Sequence, residues 1–440
     1  MKKSTLLILS ACLLLCGCHS NNKTDPIDPV DPVDPVDPVD PIDPDDPDEP
    51  VTPSVEDLGE RTISEVISLI NSDTDIVQNS HHVGVDMTKK VTIKGLALSK
   101  FSLVKTKKAF GLDVSEPGKV LLGDETGTIA VASKVSNEGT SFYGKVGDYA
   151  GKDTSKYTVT GYLSIYLGKP ELYVPDTNFE WDSSLNVTCD VKNFATPLTN
   201  LSEFYTKAKA IEYNCAGHGY GDLVTINDVR CYYHDDSIYY FTNGTSIFKV
   251  VKGTCSFTVG NVYNLTGLIT TQNWNPALRV LDYTVSNNSV SLPDTNNAIS
   301  MTATELRTHK TSQDDTDTRF DSYIDMFSNI YKATVYMDYI TEGGKYYVGF
   351  TDTYLGETEI SGKANAGANY GFIFADNENF WNVTENEIVT YNPYGYNNLI
   401  ADSTKTVTVY YIPVQLDWSS GKTIWKVFLL PETMPEIVRE

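Results

Sequence analysis

The sequence predicts an all-β protein, mainly antiparallel with short helices, built from similar modules in tandem. Three observations carry this. Tyr (28 residues) far outnumbers Trp (5) and accompanies 30 Gly in a chain that is 40% apolar, a composition suited to strands and tight turns. Short β-prone runs recur between clusters of Gly, Asn and Asp. The stretch 146–174 also returns, shortened, at 259–280.

In the first copy, Val146-Gly147-Asp148 is followed by Val159-Thr160-Gly161-Tyr162-Leu163 and Pro170-Glu171-Leu172-Tyr173-Val174. In the second, the counterparts are Val259-Gly260-Asn261, Leu265-Thr266-Gly267-Leu268-Ile269 and Pro276-Ala277-Leu278-Arg279-Val280. Gly-Asp or Gly-Asn supplies the positive φ of a turn, and the Gly inside the following run marks a bend or bulge. The leading Pro points to an edge strand, where one ladder donor can be missing. Each copy therefore reads as a bent hairpin.

The chain opens with Lys2-Lys3, an apolar run and small residues, the layout of a signal peptide. That run is too short to span a bilayer as a helix. Its ending, Leu15-Cys16-Gly17-Cys18, resembles the lipobox of bacterial lipoproteins. The resemblance implies removal of residues 1–17 and acylation of Cys18 with more than one chain, which stable anchoring requires. A plain secretory signal is the alternative. With no other span legible, the rest of the chain is expected outside the cytoplasm.

Residues 18–57 form the expected anchored, disordered linker, whose Asp-Pro-Val/Ile triplets match the three-residue turn of polyproline II. Residues 25–57 carry 13 acids and no base, so self-repulsion favours extension to roughly 100 Å at about 3.1 Å per residue. Of the formal charge of -24, residues 1–24 hold +3 and residues 25–57 hold -13, which leaves -14 on residues 58–440. Such a body repels polyanions on average and argues against a dedicated nucleic-acid protein.

With 440 residues there is room for three domains, expected at 58–190, 191–297 and 298–440. The first starts with Ile63, Val66, Ile67 and Ile70 at helical spacing, then strand runs at 91–104, 119–122, 128–132, 157–165 and 171–174. The second starts similarly at 198–205, with strands near 207–213, 223–233, 238–241, 246–251, 262–269 and 278–283. The third starts at 300–306, with strands at 332–340, 370–375, 406–412 and 423–429, and lacks the Thr-Gly signature.

A five-stranded Greek-key barrel with a strand 2–3 hairpin and a short loop between strands 4 and 5 is the arrangement of an OB-fold. The pattern Leu122-Gly123-Asp124-x-Thr126-Gly127-Thr128-Ile129-x-Val131, followed by Val146-Gly147-Asp148 and Val159-Thr160-Gly161-x-Leu163, resembles OB-fold modules of bacterial exported proteins and lipoproteins. The likeness is fullest in the first module, less in the second and least in the third. It implies tandem OB-like barrels and leaves function to be argued from sites.

OB-folds usually bind ligands on strands 2 and 3 and the loops after strands 1 and 4. Residues 89–108 hold Lys89, Lys90, Lys94, Lys100, Lys105, Lys107 and Lys108 with no acid, a patch that could meet phosphates or acidic glycans unless it is simply a solvated strand face. The 4–5 loops offer Tyr166 and Lys169, then Trp274 between Asn273 and Asn275, then Trp418 with Lys422. Such aromatics suit stacking on a sugar or base, or else plug a barrel end. In 239–241, alternation puts Tyr239 and Phe241 on one face and Tyr240 on the other.

Beyond the signal, the cysteines are Cys189, Cys215, Cys231 and Cys255, an even number that suggests disulfides or buried thiols. The pairs Cys215/His218 and Cys231/His234 are weak zinc candidates, because residues three apart on a strand point to opposite faces. Asp314, Asp315, Asp317 and Asp321 lack the Gly and terminal Glu of a calcium loop. No G-x-S-x-G, H-E-x-x-H or P-loop occurs, and no cofactor is expected.

The reading is a non-enzymatic, lipid-anchored cell-surface protein that binds an extracellular glycan or protein through OB-like barrels, with the membrane as partner of its N-terminus. Single-stranded nucleic-acid capture through 89–108, or accessory domains of a hydrolase with an unrecognised site, are the alternatives.

Overall fold

The computed structural model describes residues 54–77, 83–101, 117–134, 141–146, 153–166, 168–175, 179–209, 211, 219–234, 238–251, 255–272, 275–308, 326–342, 345–354, 373–375, 404–419 and 422–430. The chain divides into residues 1–52 and 53–440, and every described residue belongs to the second part. Residues 1–17, read from the sequence as a signal peptide, lie outside the described residues, as do Cys18 and the Asp-Pro repeat.

Barrel 1 comprises β1 (Glu56–Glu60), α1 (Ile63–Ser72), α2 (Thr74–Val77), β2 (Val83–Phe101), β3 (Pro117–Asp124), β4 (Gly127–Lys134), α3 (Phe142–Lys145), β5 (Asp153–Tyr166), β6 (Lys169–Tyr173) and β7 (Phe179–Thr188). Barrel 2 has β8 (Thr196–Pro197), α4 (Leu201–Lys209), β9 (Tyr220–His234), β10 (Ile238–Thr242), β11 (Ile247–Val251), β12 (Val262–Gln272) and β13 (Asn275–Ser286). Barrel 3 has β14 (Ile299–Ser300), α5 (Ala303–Thr308), β15 (Tyr331–Glu342), β16 (Lys345–Thr351), β17 (Ile373–Ala375), β18 (Thr406–Ser419) and β19 (Lys422–Leu429).

All three sheets share one topology. In barrel 1 the order β2-β3-β4-β6-β5 closes through β2–β5; in barrel 3 the order β15-β16-β17-β19-β18 closes through β15–β18. Barrel 2 runs β10-β11-β13-β12-β9 and closes through β9–β10. Strands 3 and 5 pair in parallel each time (β4–β6, β11–β13, β17–β19), and all other barrel pairs are antiparallel. This is the strand order of the OB-fold, so the chain is all-β and built of tandem OB-type barrels.

A short strand pairs in parallel with strand 1 ahead of each barrel, and a helix follows it. The helix starts share a motif: Thr62-Ile63-Ser64-Glu65, Asn200-Leu201-Ser202-Glu203 and Thr302-Ala303-Thr304-Glu305. Thr62 and Glu65 form a reciprocal capping box, as do Thr302 and Glu305, while Asn200 Oδ1 accepts from Glu203 N. In barrels 1 and 3 the turn after strand 2 completes the cap. Asp124 accepts from Ile63 N, and Asp352 accepts from Ala303 N and Thr304 N.

Several sequence expectations change. The strand expected at 207–213 is instead the end of α4 as far as Lys209, because Leu201, Phe204, Tyr205 and Ala208 recur at helical spacing and are buried. The final strands are not edges, since β6 and β13 are paired on both sides. Pro170 and Pro276 are tolerated because each precedes the first parallel pair, Ala130–Glu171 or Lys249–Ala277. Of the two repeat glycines, Gly267 sits at a bulge, whereas the ladder runs regularly through Gly161. Strands β1, β7, β8, β14 and β16 have no counterpart among the expected runs.

The core of barrel 1 is self-contained, with Ile63, Val66 and Ile70 of α1 closing its end over Val91, Val120, Val159 and Leu172. The cores of barrels 2 and 3 form one continuous cluster, and Tyr205 bridges them, its one hydroxyl proton shared between the carbonyls of Ile247 at 2.8 Å and Phe327 at 3.1 Å.

Candidate functional site: the junctions between barrels

Alternation along β3 turns Val120 and Leu122 into the core and leaves Lys119 and Leu121 outside. On that outer face Leu98, Phe101, Leu121 and Ala130 pack against Tyr220, Leu223 and Leu268 of barrel 2, with Cys189 and Val191 of the connecting segment between them. Barrel 3 covers barrel 2 in the same sense, with Ile330, Ile412, Val414 and Phe428 packing on Tyr232, Ile238, Tyr240 and Ile247. The outer face of strands 1–3, the usual ligand face of the fold, is thus an inter-barrel contact in barrels 1 and 2.

Polar groups pin the first junction. Lys119 Nζ donates to both carboxylate oxygens of Glu171, at 2.5 and 2.7 Å, and the two side chains are only 3% and 2% exposed. Tyr220 of barrel 2 donates its hydroxyl to Glu171 at 2.6 Å, and the ring of Tyr166 lies 4.1 Å from Lys119 Nζ. Burial first, then the Glu171 charge, raises the Tyr220 pKa well above the ordinary phenol value, so the hydroxyl keeps its proton. At the rim, Asp222 of barrel 2 receives Lys169 of barrel 1 and Lys207 of α4, both at 2.8 Å. Burial alone would raise the Asp222 pKa, yet the two lysines hold it down to about 2.

A cleft of about 540 Å³ opens beside this cluster, between the β5–β6 turn, the end of α1 and the start of β9. Leu121, Ala130 and Leu268, each at most 2% exposed, are among its apolar lining residues, with the Phe194 ring. Asn71, Thr128 and Thr196 are polar lining residues. That ring packs so tightly on Gly123 that a Cβ there would lie 2.8 Å from it.

The sequence-derived candidates fall as follows. Tyr166 and Lys169 are half-buried members of the first junction rather than an open loop. Tyr240 does point away from Tyr239 and Phe241, but it is 1% exposed and stacks on Phe428 at 4.2 Å and 13°, so it is a packing residue of the second junction. In the lysine patch, Lys89 pairs with Asp73 and Asp86, Lys90 with Asp57 and Lys94 with Glu60. Hydrogen bonds to Asp73 and Asp86 hold the Lys89 pKa above its ordinary value. Lys100 donates to the carbonyl of Val146 and lies 4.4 Å from the Tyr143 ring centre. Lys105, Lys107, Lys108, Trp274, Cys215, His218 and the Asp314–Asp321 cluster lie outside the described residues. In the β18–β19 ladder Trp418 pairs with Thr423 and Lys422 with Ser419; nothing further is described of those side chains.

No disulfide joins Cys189, Cys231 and Cys255 to one another in this structure. Burial pushes the Cys231 pKa up to about 12, leaving a protonated core residue. Cys231 points into the core and His234 into solvent, so this C-x-x-H pair diverges, as strand geometry requires. No grouping of metal ligands exists among the described residues.

Sequence reasoning missed Lys119, Glu171, Tyr220 and Asp222. The available signal was charge inside apolar strand runs, Lys119 before Val120-Leu121-Leu122 and Glu171 before Leu172, which implies burial with a partner.

No family model matches the chain, and no curated protein matches it. Solved structures similar to it include a replication protein A heterotrimer bound to single-stranded DNA (9% identity, 80% of this chain and 93% of that chain, TM-score 0.27). Others are the Ifi202 HINa domain in complex with 20-base-pair double-stranded DNA (12%, 47% and 100%, TM-score 0.23) and the p204 HINb domain (13%, 47% and 100%, TM-score 0.24). Likenesses this distant carry no argument about ligands, and the OB-type assignment rests on strand order and closure.

Proposed function

We propose that this chain is an exported, lipid-anchored, non-enzymatic cell-surface protein that binds an extracellular glycan or protein. The lipobox-like Cys18 and the acidic stalk support the location. The observation that supports the ligand class is the state of the surfaces a polyanion would need. The strand 1–3 faces of barrels 1 and 2 are covered by the next barrel. Three lysines of the 89–108 patch are neutralised by Asp57, Glu60, Asp73 and Asp86. Among the described residues no following barrel covers the strand 1–3 face of barrel 3, and that face, with the clefts and edges, belongs to a body with a net charge of -14 over residues 58–440.

Single-stranded nucleic-acid capture is the second reading. It is favoured by Lys100 at the end of β2, immediately before the segment that carries Lys105, Lys107 and Lys108.

The test is binding of the full chain to glycan, protein and single-stranded DNA panels between about 50 and 300 mM salt. Glycan or protein binding that is insensitive to Lys105→Ala, Lys107→Ala and Lys108→Ala supports the first reading. DNA binding that falls steeply with salt and is lost in the triple variant replaces it with the second. No binding in any panel sinks both.

A further inference from the structure

The cleft at the first junction has the makings of a site that neither barrel possesses alone. Its volume of about 540 Å³ lies within the range of small-molecule pockets, and domain interfaces are where such pockets concentrate. Its chemistry is divided. Leu121, Ala130, Leu268 and Phe194 line it with apolar groups, while Asn71, Thr128 and Thr196 line it with amide and hydroxyl groups. Among the described residues, those amide and hydroxyl groups make no hydrogen bond within the protein, so their donors and acceptors are available to a ligand.

Charge decides between ligand classes. The ionised side chains lining the cleft, Lys169 and Asp222, are bound to each other, and Lys207 takes the second oxygen of Asp222. A phosphate or carboxylate entering here finds no cation without a carboxylate partner among the described lining residues, and a cationic ligand would face two lysines. A neutral saccharide meets neither cost. It presents an apolar C–H face, which fits against an aromatic ring and aliphatic side chains, and a rim of hydroxyls, which fits amide and hydroxyl partners.

We infer that the cleft between barrels 1 and 2 binds a neutral mono- or disaccharide unit, with Phe194 as the stacking platform and Asn71, Thr128 and Thr196 as hydroxyl partners. The inference rests on the proposed binding function and assigns it a place and a ligand class. The Tyr220–Glu171 hydrogen bond and the Lys169–Asp222 ion pair tie barrel 2 to barrel 1 beside the cleft, which is therefore formed without ligand.

The experiment titrates the full chain with lactose, cellobiose and N,N′-diacetylchitobiose and with a neutral-glycan array, followed by calorimetry and saturation-transfer NMR. Asn71→Trp and Thr196→Trp place a bulky ring at the mouth from exposed positions, and unchanged thermal midpoints would show that both variants fold. The expected result is binding by wild type that weakens about tenfold or more in either variant and in Phe194→Ala, equivalent to about 1.4 kcal/mol. Equal saccharide binding by wild type and both Trp variants overturns the cleft while sparing the proposed function. Binding of proteins with no neutral saccharide bound overturns the ligand class. Failure of every panel removes the proposed function and this inference with it.

Discussion

Replacing Lys119 by Met leaves the Glu171 carboxylate in a site that water barely reaches. Both side chains are at most 3% exposed, and Glu171 loses the two hydrogen bonds from Nζ while keeping one from Tyr220. Breaking a buried ion pair from one side costs about 3–5 kcal/mol, because the surviving charge is uncompensated. The contact of Nζ with the Tyr166 ring adds about 1 kcal/mol to that loss. Removing the whole cluster behaves differently. In Lys119→Met/Glu171→Met/Tyr220→Phe no charge and no hydroxyl is stranded, and apolar groups of similar volume refill the space among Phe101, Leu121 and Leu223. The triple variant should therefore lie within about 1–2 kcal/mol of wild type, far above the single variant. Urea unfolding followed by tyrosine and tryptophan fluorescence measures both. A single variant within about 1 kcal/mol of wild type would show that water reaches Glu171 at the junction. A triple variant no more stable than the single would refute the reasoning that stranded charge, rather than lost packing, sets the cost.

Other consequences follow from the same geometry. Asp222 has its pKa lowered from 3.8 to about 2, so its contribution is complete above about pH 4 and lost as pH falls toward 2. Thermal midpoints of wild type and Asp222→Asn should differ above pH 4 and converge near pH 2; a constant gap contradicts the linkage. Phe428→Ala removes a fully buried ring stacked on Tyr240 and should cost about 3–5 kcal/mol in denaturant unfolding, with earlier proteolytic cleavage between barrels 2 and 3. Asp124→Ala removes the acceptor for Ile63 N and should cost about 1 kcal/mol, with loss of amide-exchange protection confined to the first turn of α1 and the β3–β4 turn. Gly267→Ala would place a Cβ 2.3 Å from the Arg279 carbonyl and should destabilise by about 1–3 kcal/mol in thermal unfolding.

Local signals made the barrels legible in the sequence. Apolar runs of period two between Gly-rich turns mark β3, β4, β10, β12 and β13, and the 146–174 and 259–280 copies mark the closing half of two barrels. The helix starts at Thr62, Asn200 and Thr302 are equally local, since a capping residue and a Glu three positions later need only one turn of chain. Where local patterns conflict, long-range context decided. Lys207 and Lys209 sit in a segment that reads as a strand start, but Phe204, Tyr205 and Ala208 bury one helical face against barrel 2.

The sequence by itself determined that the chain is β-rich, modular and acidic, and that Tyr239 and Phe241 share a face opposite to Tyr240, because these follow from composition and from the two-residue period of a strand. It could not determine what covers the other face. Tyr240 and Lys169 have the residue types of ligand contacts, and both were spent when one barrel met the next. Lys119 and Glu171 are 52 positions apart, and Tyr220 lies a further 49 beyond Glu171. Closure of barrel 1 brings the first two within hydrogen-bond reach, and only the packing of barrel 2 on that face adds Tyr220. The cleft beside them exists for the same reason: its walls belong to two barrels, and pairing across a junction is set by three-dimensional shape and desolvation, which no local pattern encodes.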